Sequence, residues 1–358
     1  MTRNYQKPAD LSAVQAKMGA QKIAFSAITF EATVCLLRLG ILRTIADAGR
    51  SGISAADLAE SLDLSKYGIQ VLLDMGLTMN LVWLNDNRYV LDKIGHFLLT
   101  DEMTEINVNF AQDVCYEAMG HLMASIKSGK PEGLKVFGDW PTVYHGVASF
   151  PEPAKSSWFA FNGYYSKGAF AQALPIVFAS RPTQILDVGG HLGAFAFDCI
   201  EYDADVQVTL VDLPEQVAIA MQYIAQHNAQ DRVDTQTMDF LDPQQSLPVG
   251  ADTIWMSQFL DCFSESQVET ILNQAARIMS DDSSLYILEL FWDCQEYEIG
   301  AYGINATSLY FTCIANGVSR MYHSNDIISI AEKAGFAVYA RYDGLGFGHT
   351  LLHLKKAR

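Results

Sequence analysis

The residues best placed to do chemistry are Asp187, Gly189 and Gly190, in the run Ile185-Leu-Asp-Val-Gly-Gly-His-Leu-Gly-Ala-Phe195, and Asp212, in Thr209-Leu-Val-Asp-Leu-Pro214. Ile185 to Val188 reads as a buried apolar strand. The glycines at 189, 190 and 193 let the backbone turn and approach a ligand, and Ala194 to Ile200 continues as a helix. A ligand therefore meets bare backbone at a helix start. Asp212 stands at the carboxyl end of a second strand, Gln207 to Val211. It lies 25 residues after Asp187 (212 − 187), near the spacing at which an acid meets ribose hydroxyls in open α/β sheets.

The dinucleotide fingerprint G-x-G-x-x-G would need glycine at 191 and 194, where this chain has His191 and Ala194, so a nicotinamide or flavin dinucleotide is disfavoured. A carboxylate just before the turn would repel a pyrophosphate but suits the ammonium of an amino-acid tail. The adenine nucleoside that carries such a tail is S-adenosylmethionine, which is the expected cofactor. An ordinary strand-to-helix turn with glycines would look the same over 185–195 alone; Asp212 and the segments after it favour the cofactor reading.

These residues need a sheet to hold them. Arg232 to Met238, ending in Asp239-Phe240, Asp252 to Ser257 and Ser284 to Leu290 read as further strands, with a helix from Glu265 to Met279 between the last two. The alternation predicts a doubly wound parallel sheet. Ala337 to Tyr342 and Thr350 to Lys355, joined by Asp343-Gly-Leu-Gly-Phe-Gly348, predict a hairpin at one edge. Upstream, residues 11–48 show helical spacing of Ile23, Phe30, Val34, Leu37 and Ile41, and these helices need a partner surface. Residues 52–91 read as helix, helix and a hairpin turning at Asn85-Asp-Asn87, a winged-helix pattern. Residues 106–180 read as mostly helical and rich in aromatics, among them Trp140, Tyr144, Trp158, Phe159, Phe161, Tyr164 and Tyr165. Two or three of these could line a pocket for a flat substrate.

Composition narrows the partners. With 358 residues, half of them apolar, the chain has material for two lobes. The net charge of −17 argues against a phosphate-backbone partner. Residues 1–105 hold ten Lys and Arg against twelve Asp and Glu, and the second helix of the winged-helix pattern carries one cation, Lys66, opposed by Asp74. A dimerisation module is expected there rather than a DNA reader. No apolar stretch reaches membrane-span length and the N-terminus lacks a signal-peptide core, so a cytoplasmic protein without membrane contact is expected. Six cysteines lie far apart with no C-x-x-C pair, which argues against a metal site and against a disulfide framework.

With these pieces in order, the chain resembles the S-adenosylmethionine-dependent O-methyltransferases of the caffeate and hydroxyneurosporene type. The stretches that carry the resemblance are Leu186-Asp-Val-Gly-Gly190, Val211-Asp-Leu-Pro214, Met238-Asp-Phe240, Ala251-Asp-Thr-Ile-Trp-Met-Ser-Gln-Phe-Leu-Asp-Cys-Phe-Ser-Glu265, Leu288-Glu289 and Ala334-Gly-Phe336. The resemblance implies a Rossmann-like class I methyltransferase sheet behind an N-terminal, mainly helical winged-helix dimerisation domain. The expected divisions are 1–105, a helical segment 106–180 contributing to the substrate pocket, and a catalytic domain 181–358. It implies a homodimer acting on a small aromatic or polyene-like hydroxyl. Toward the cofactor it implies Gly189 beside the methionine tail, Asp212 on the ribose, Asp239 with Phe240 at the adenine, and Ser257 where plant members often have a lysine; Asp187, Gly190 and Leu213 are expected in the same cofactor-binding set.

The departures bear on catalysis. The family's L-H-D-W-S-D segment carries a histidine base, yet this chain reads Leu260-Asp-Cys-Phe-Ser-Glu265, with Asp261 at the base position. Glu289 matches one of the two acids that orient the base. The second falls within Gly317-Val-Ser-Arg-Met-Tyr-His323, which has no carboxylate there. A phenol of pKa about 10 facing an aspartate of about 3.9 is mismatched by roughly six units, about 8 kcal/mol. Burial recovers up to about 3 to 5 units of that. Three explanations stand: Asp261 is a raised-pKa base near Glu289; His323 is the base with Asp261 orienting it; or the substrate is acidic enough for positioning alone. An aspartate at 261 would equally serve to cap the following helix. Two rival functions stay open as well: hydroxylase-like chemistry that keeps the cofactor, and a non-catalytic winged-helix regulator or sensor.

Overall fold

The computed structural model describes residues 5–166 and 168–357, and the chain divides into two compact units, one ending at Val114 and the other beginning at Cys115. The division falls nine residues beyond the expected boundary at 105, because the helix Glu102–Phe110 belongs with the first unit.

In the first unit, helices Ala13–Ala24, Ser26–Arg38, Ile41–Asp47, Ala55–Ser61 and Lys66–Thr78 precede a hairpin of β1 (Val82–Asn85) and β2 (Arg88–Leu91). Ser54 and Ser65 start their helices by accepting from the amides of Asp57 and Gly68. Asp86 and Asn87 take the positive φ that a two-residue hairpin turn requires. Leu36, Ile41, Ile45, Leu58, Ile69 and Leu73 form the core. The first two helices meet at a 64° bend, so Val34 and Ile41 are buried while Ile23, expected on the same face, is 76% exposed. Val14, Phe25 and Ile28 are exposed beside it.

The second unit is built on seven strands: β3 (Gln184–Val188), β4 (Gln207–Asp212), β5 (Val233–Thr237), β6 (Thr253–Ser257), β7 (Ser284–Glu289), β8 (Phe336–Leu345) and β9 (His349–Lys356). Their order is β5-β4-β3-β6-β7-β9-β8. Strands β3 to β7 run parallel, and β9 inserts antiparallel between β7 and β8, which forms the expected edge hairpin. One face of the sheet packs Leu186, Met256 and Ile287 against the helices Glu265–Ile278 and Ser324–Lys333. The other packs Ile185, Trp255 and Tyr286 against the helices Ala169–Val177 and Ala194–Tyr202, with Phe195 stacked on Trp255 at 3.8 Å. The order in which strands are added reverses at β3, with β4 and β5 laid to one side and β6 and β7 to the other, and such a switch point opens a crevice at the strands' carboxyl ends. The helix Ala154–Ser166 roofs these ends: Phe159 stacks over His191, Ser166 Oγ accepts from Gln258, and Tyr164 stacks on Phe347. Among the described residues, no single helix is long and apolar enough to cross a membrane.

Candidate active site

The turn after β3 shows why glycine is required. Gly189 has φ 73°, and a Cβ there would stand 2.2 Å from the Phe259 ring; a Cβ on Gly190 would stand 2.7 Å from Asp187 Oδ2. His191 takes φ 49° and turns its amide to Asp212, donating to Oδ2 at 2.8 Å, while the Leu213 amide donates to Oδ1 at 2.7 Å. The non-glycine residue that departs from the dinucleotide pattern thus fastens the turn to the acid of the next strand. Burial raises Asp212 to about 6, against the two amide bonds that favour its charge. Asp187 is 2% exposed, and burial together with the negative Asp212 raises it to about 7. Its Oδ2 has no hydrogen-bond partner, and neither does the buried Oγ of Ser257, one residue past the partner of Val188. Two unsatisfied buried groups flanking a bare turn, with a carboxylate at the end of the neighbouring strand, fit the amino-acid tail and ribose of S-adenosylmethionine.

The adenine end is looser. Asp239 is exposed and its Oδ1 accepts from the Leu241 amide. Phe240 was expected to lay a face on the purine, but the structure buries it to 4% exposure, edge-on to Phe259 at 4.8 Å. The ring belongs to the core because Phe259 and Phe263 converge on it.

Beyond β6 a short helical turn, Leu260–Cys262, carries Asp261. The helix after it is capped by Ser264, which forms a reciprocal pair with Gln267, so Asp261 has no capping duty. Glu289 closes β7 and its Oε1 accepts from the amides of Phe259 (3.0 Å) and Leu260 (2.9 Å), which fixes the backbone that presents Asp261. The Cys262 thiol donates to Asp261 Oδ1 at 3.4 Å, and the Tyr144 hydroxyl faces that thiol. Asn316 donates to the Cys262 carbonyl and to Ser319 Oγ, so a neutral amide serves the segment where the family places its second acid. Tyr144, Cys262 and Asn316 were missed as a group by sequence reasoning, since only packing joins positions so far apart.

Burial raises Asp261 to about 6. Glu289 is pushed well above the usual carboxylate range, first by burial and then by the negative Asp261. The two buried acids titrate as a pair, with burial setting both above the usual carboxylate range. Both acids line a small pocket with Leu260, Leu290, Phe291, Tyr322 and Ile327.

His323 is a correction. It caps the helix Ser324–Lys333, its Nδ1 accepting from the Asn325 amide at 3.1 Å, and it lies 3.5 Å from Asp293 with its ring edge against Trp292. The structure therefore engages it at a helix start instead of joining it to Asp261. No group of three or more His, Cys, Asp or Glu among the described residues is arranged to hold a metal ion.

Comparison with known proteins gives the same assignment. Residues 166–337 match the O-methyltransferase domain model and residues 17–89 a Dimerisation2-like domain. The chain is 27% identical over 241 residues to 3-hydroxy-5-methyl-1-naphthoate 3-O-methyltransferase of Streptomyces sahachiroi, covering 67% of this chain and 68% of that protein. It is 24% identical over 282 residues to demethylspheroidene O-methyltransferase of Rhodobacter capsulatus, covering 78% and 67%. Among solved structures, the apo S-adenosylmethionine-dependent methyltransferase SibL superposes with a TM-score of 0.73 at 20% identity over 95% of this chain and 99% of that one. The human N-acetylserotonin methyltransferase in complex with S-adenosylmethionine gives 0.66 at 18%, over 98% and 100%. With a dimerisation domain ahead of a class I catalytic sheet, the chain belongs to the S-adenosylmethionine-dependent O-methyltransferases.

Proposed function

We propose that this enzyme methylates a hydroxyl on a small aromatic acceptor, with Asp261 as the general base in place of the family's histidine. The observation that carries the proposal is the buried pair itself, with Asp261 raised to about 6 and Glu289, also raised, fixing the backbone that presents it. S-adenosylmethionine, when bound, supplies a methyl group activated on a sulfonium. Asp187 and Ser257 would hold its amino-acid tail, Asp212 the ribose and Asp239 the adenine edge. A phenol of pKa about 10 then faces a base of about 6, a gap of roughly four units or about 5 kcal/mol, against about 8 for an ordinary aspartate. Glu289 aims the base through the amides of Phe259 and Leu260. The aromatic roof of Trp158 and Phe159, with Trp158 bonded to the Tyr310 hydroxyl at 2.6 Å, keeps water from the acceptor. The relatives named for a naphthoate and for demethylspheroidene support an aromatic or polyene acceptor.

The helix-helix-hairpin at 55–91 is read as a winged helix serving dimerisation. Val14, Ile23 and Ile28 on the exposed face of the first two helices support a homodimer. The six free cysteines accord with a reducing, cytoplasmic setting.

Methyl-labelled cofactor incubated with a panel of phenols tests the reaction. Labelled product confirms it, whereas an altered but unlabelled product refutes methyl transfer in favour of hydroxylase-like chemistry. Asp261→Asn tests the base: turnover falls while cofactor affinity holds, and unchanged turnover removes Asp261 from the mechanism.

A further inference from the structure

Among the described residues, eight positions other than glycine take a left-handed φ. Five are Asn or Asp, whose short side chains tolerate that conformation, and Arg181 ends the helical turn Phe178–Ser180. The two that remain, His191 (φ 49°) and Gln258 (φ 47°), stand just beyond the carboxyl ends of the neighbouring strands β3 and β6. Glycine would take either φ more readily, so what these positions retain by not being glycine is a side chain.

Both side chains go to the same helix. The His191 ring lies nearly parallel to the Phe159 ring, with centroids 6.4 Å apart and planes 20° off, and Gln258 Nε2 donates to Ser166 Oγ at 2.9 Å. Burial holds the His191 imidazole below its usual pKa, so at pH 7 the neutral ring meets Phe159 as one aromatic face meets another. Phe159 and Ser166 are seven residues apart (166 − 159), two turns, so they share one face of the helix Ala154–Ser166, about 10 Å from each other. Asn162 lies between them on that face, with its Nδ2 turned back to the Trp158 carbonyl of its own helix.

Each of the two residues is also tied to the cofactor side. The His191 amide donates to Asp212, the ribose acid, and Gln258 follows Ser257, whose buried hydroxyl lacks a partner beside the bare turn. The Gln258 amide donates to the Leu288 carbonyl at 2.9 Å, which fastens its backbone to β7. Both links therefore run from a backbone held by the sheet to a helix laid over it.

Resting on the cofactor placement given above, we propose that His191 and Gln258 are positioning residues that pin this helix over the cofactor turn at two points, and that both pins release before the product cofactor leaves. They set the residence time of S-adenosylhomocysteine and take no part in methyl transfer itself. Loss of a pin acts on dissociation, because the turn and the acids that receive the cofactor stay in place.

Surface plasmon resonance on the full chain, with S-adenosylhomocysteine as the probe, tests the pair. Phe159→Leu and Ser166→Ala each remove one pin from the helix side and leave the turn untouched. Each is expected to raise the dissociation rate about two- to tenfold, the effect of losing an aromatic pair or a neutral hydrogen bond. Phe159→Tyr keeps the ring and should keep the wild-type rate. His191→Gly should speed dissociation as Phe159→Leu does, and the two together should be no faster than either alone, because they break the same contact. Should His191→Gly fail to fold, the three helix-side variants carry the test. A dissociation rate unmoved by either Phe159→Leu or Ser166→Ala overturns the proposal. So does a Phe159→Tyr rate as fast as that of Phe159→Leu, or His191 and Phe159 effects that multiply. Failure of the wild-type chain to bind S-adenosylhomocysteine would instead count against the cofactor placement, so the two failures are distinct.

Discussion

Asp187→Asn should make the free enzyme more stable at alkaline pH while weakening its hold on the cofactor. Asp187 is 2% exposed, its Oδ2 has no partner, and burial with the neighbouring Asp212 raises its pKa from 3.8 to about 7. Since the unfolded chain ionises this group near 3.8, no penalty exists below that pH. The penalty grows as pH rises from about 4 to 7, and above 7 it is fully in place. The gap between 7 and 3.8, at about 1.36 kcal/mol per pH unit, is worth about 4 kcal/mol. Asparagine removes the charge but brings an amide whose donors lack ready partners, at a cost of about 1–3 kcal/mol. A net gain of about 1–3 kcal/mol at pH 8 remains, and it should become a net loss at pH 4. The assay is Tm by scanning calorimetry from pH 4 to 8.5 for both proteins, with and without S-adenosylhomocysteine. The variant curve should cross above the wild type as pH rises, and the ligand-induced increase in Tm should shrink in the variant. A variant less stable by the same amount at every pH would refute the reasoning, because it would mean that Asp187 contributes packing or hydrogen bonds rather than an uncompensated charge.

If ionised Asp261 is the base, kcat/KM should be lost as pH falls through about 6 and level off above 7. In Asp261→Asn that acid limb should vanish and kcat should fall about 10²- to 10⁴-fold, with the cofactor Kd unchanged by calorimetry. Gly189→Ala puts a Cβ 2.2 Å from Phe259 at φ 73°, so a loss of about 2 kcal/mol or more is expected in denaturant titration. A neutral result would mean that Phe259 yields easily. His323→Ala should cost about 0.5–2 kcal/mol as a lost helix cap and leave kcat unchanged. A tenfold or greater fall in kcat at intact folding would restore His323 as the base.

What could be read along the chain was what neighbours in sequence decide. The apolar run before Gly189, the left-handed positions of the turn and the acids at the ends of β4 and β7 follow from side-chain period and backbone sterics over a few residues. They were enough for the sheet, its edge hairpin and the cofactor. The site was only partly legible. Asp261 could be named as a departure, but whether it capped a helix depended on Ser264 and Gln267 completing a reciprocal cap of their own. Phe240 looked available for a purine until Phe259 and Phe263 closed on it. His323 had the right chemistry for a base and was committed elsewhere by the helix it starts.

Sequence by itself determined which groups are present and, through local periodicity, which strand ends carry them. Only the tertiary structure decided their electrostatics and partners: that burial raises Asp261 to about 6 and Glu289 well above the usual carboxylate range, and that Tyr144 and Asn316 meet at Cys262. The reason is physical, since desolvation and hydrogen-bond satisfaction depend on everything that surrounds an atom, and most of what surrounds Asp261 comes from segments far away in the chain.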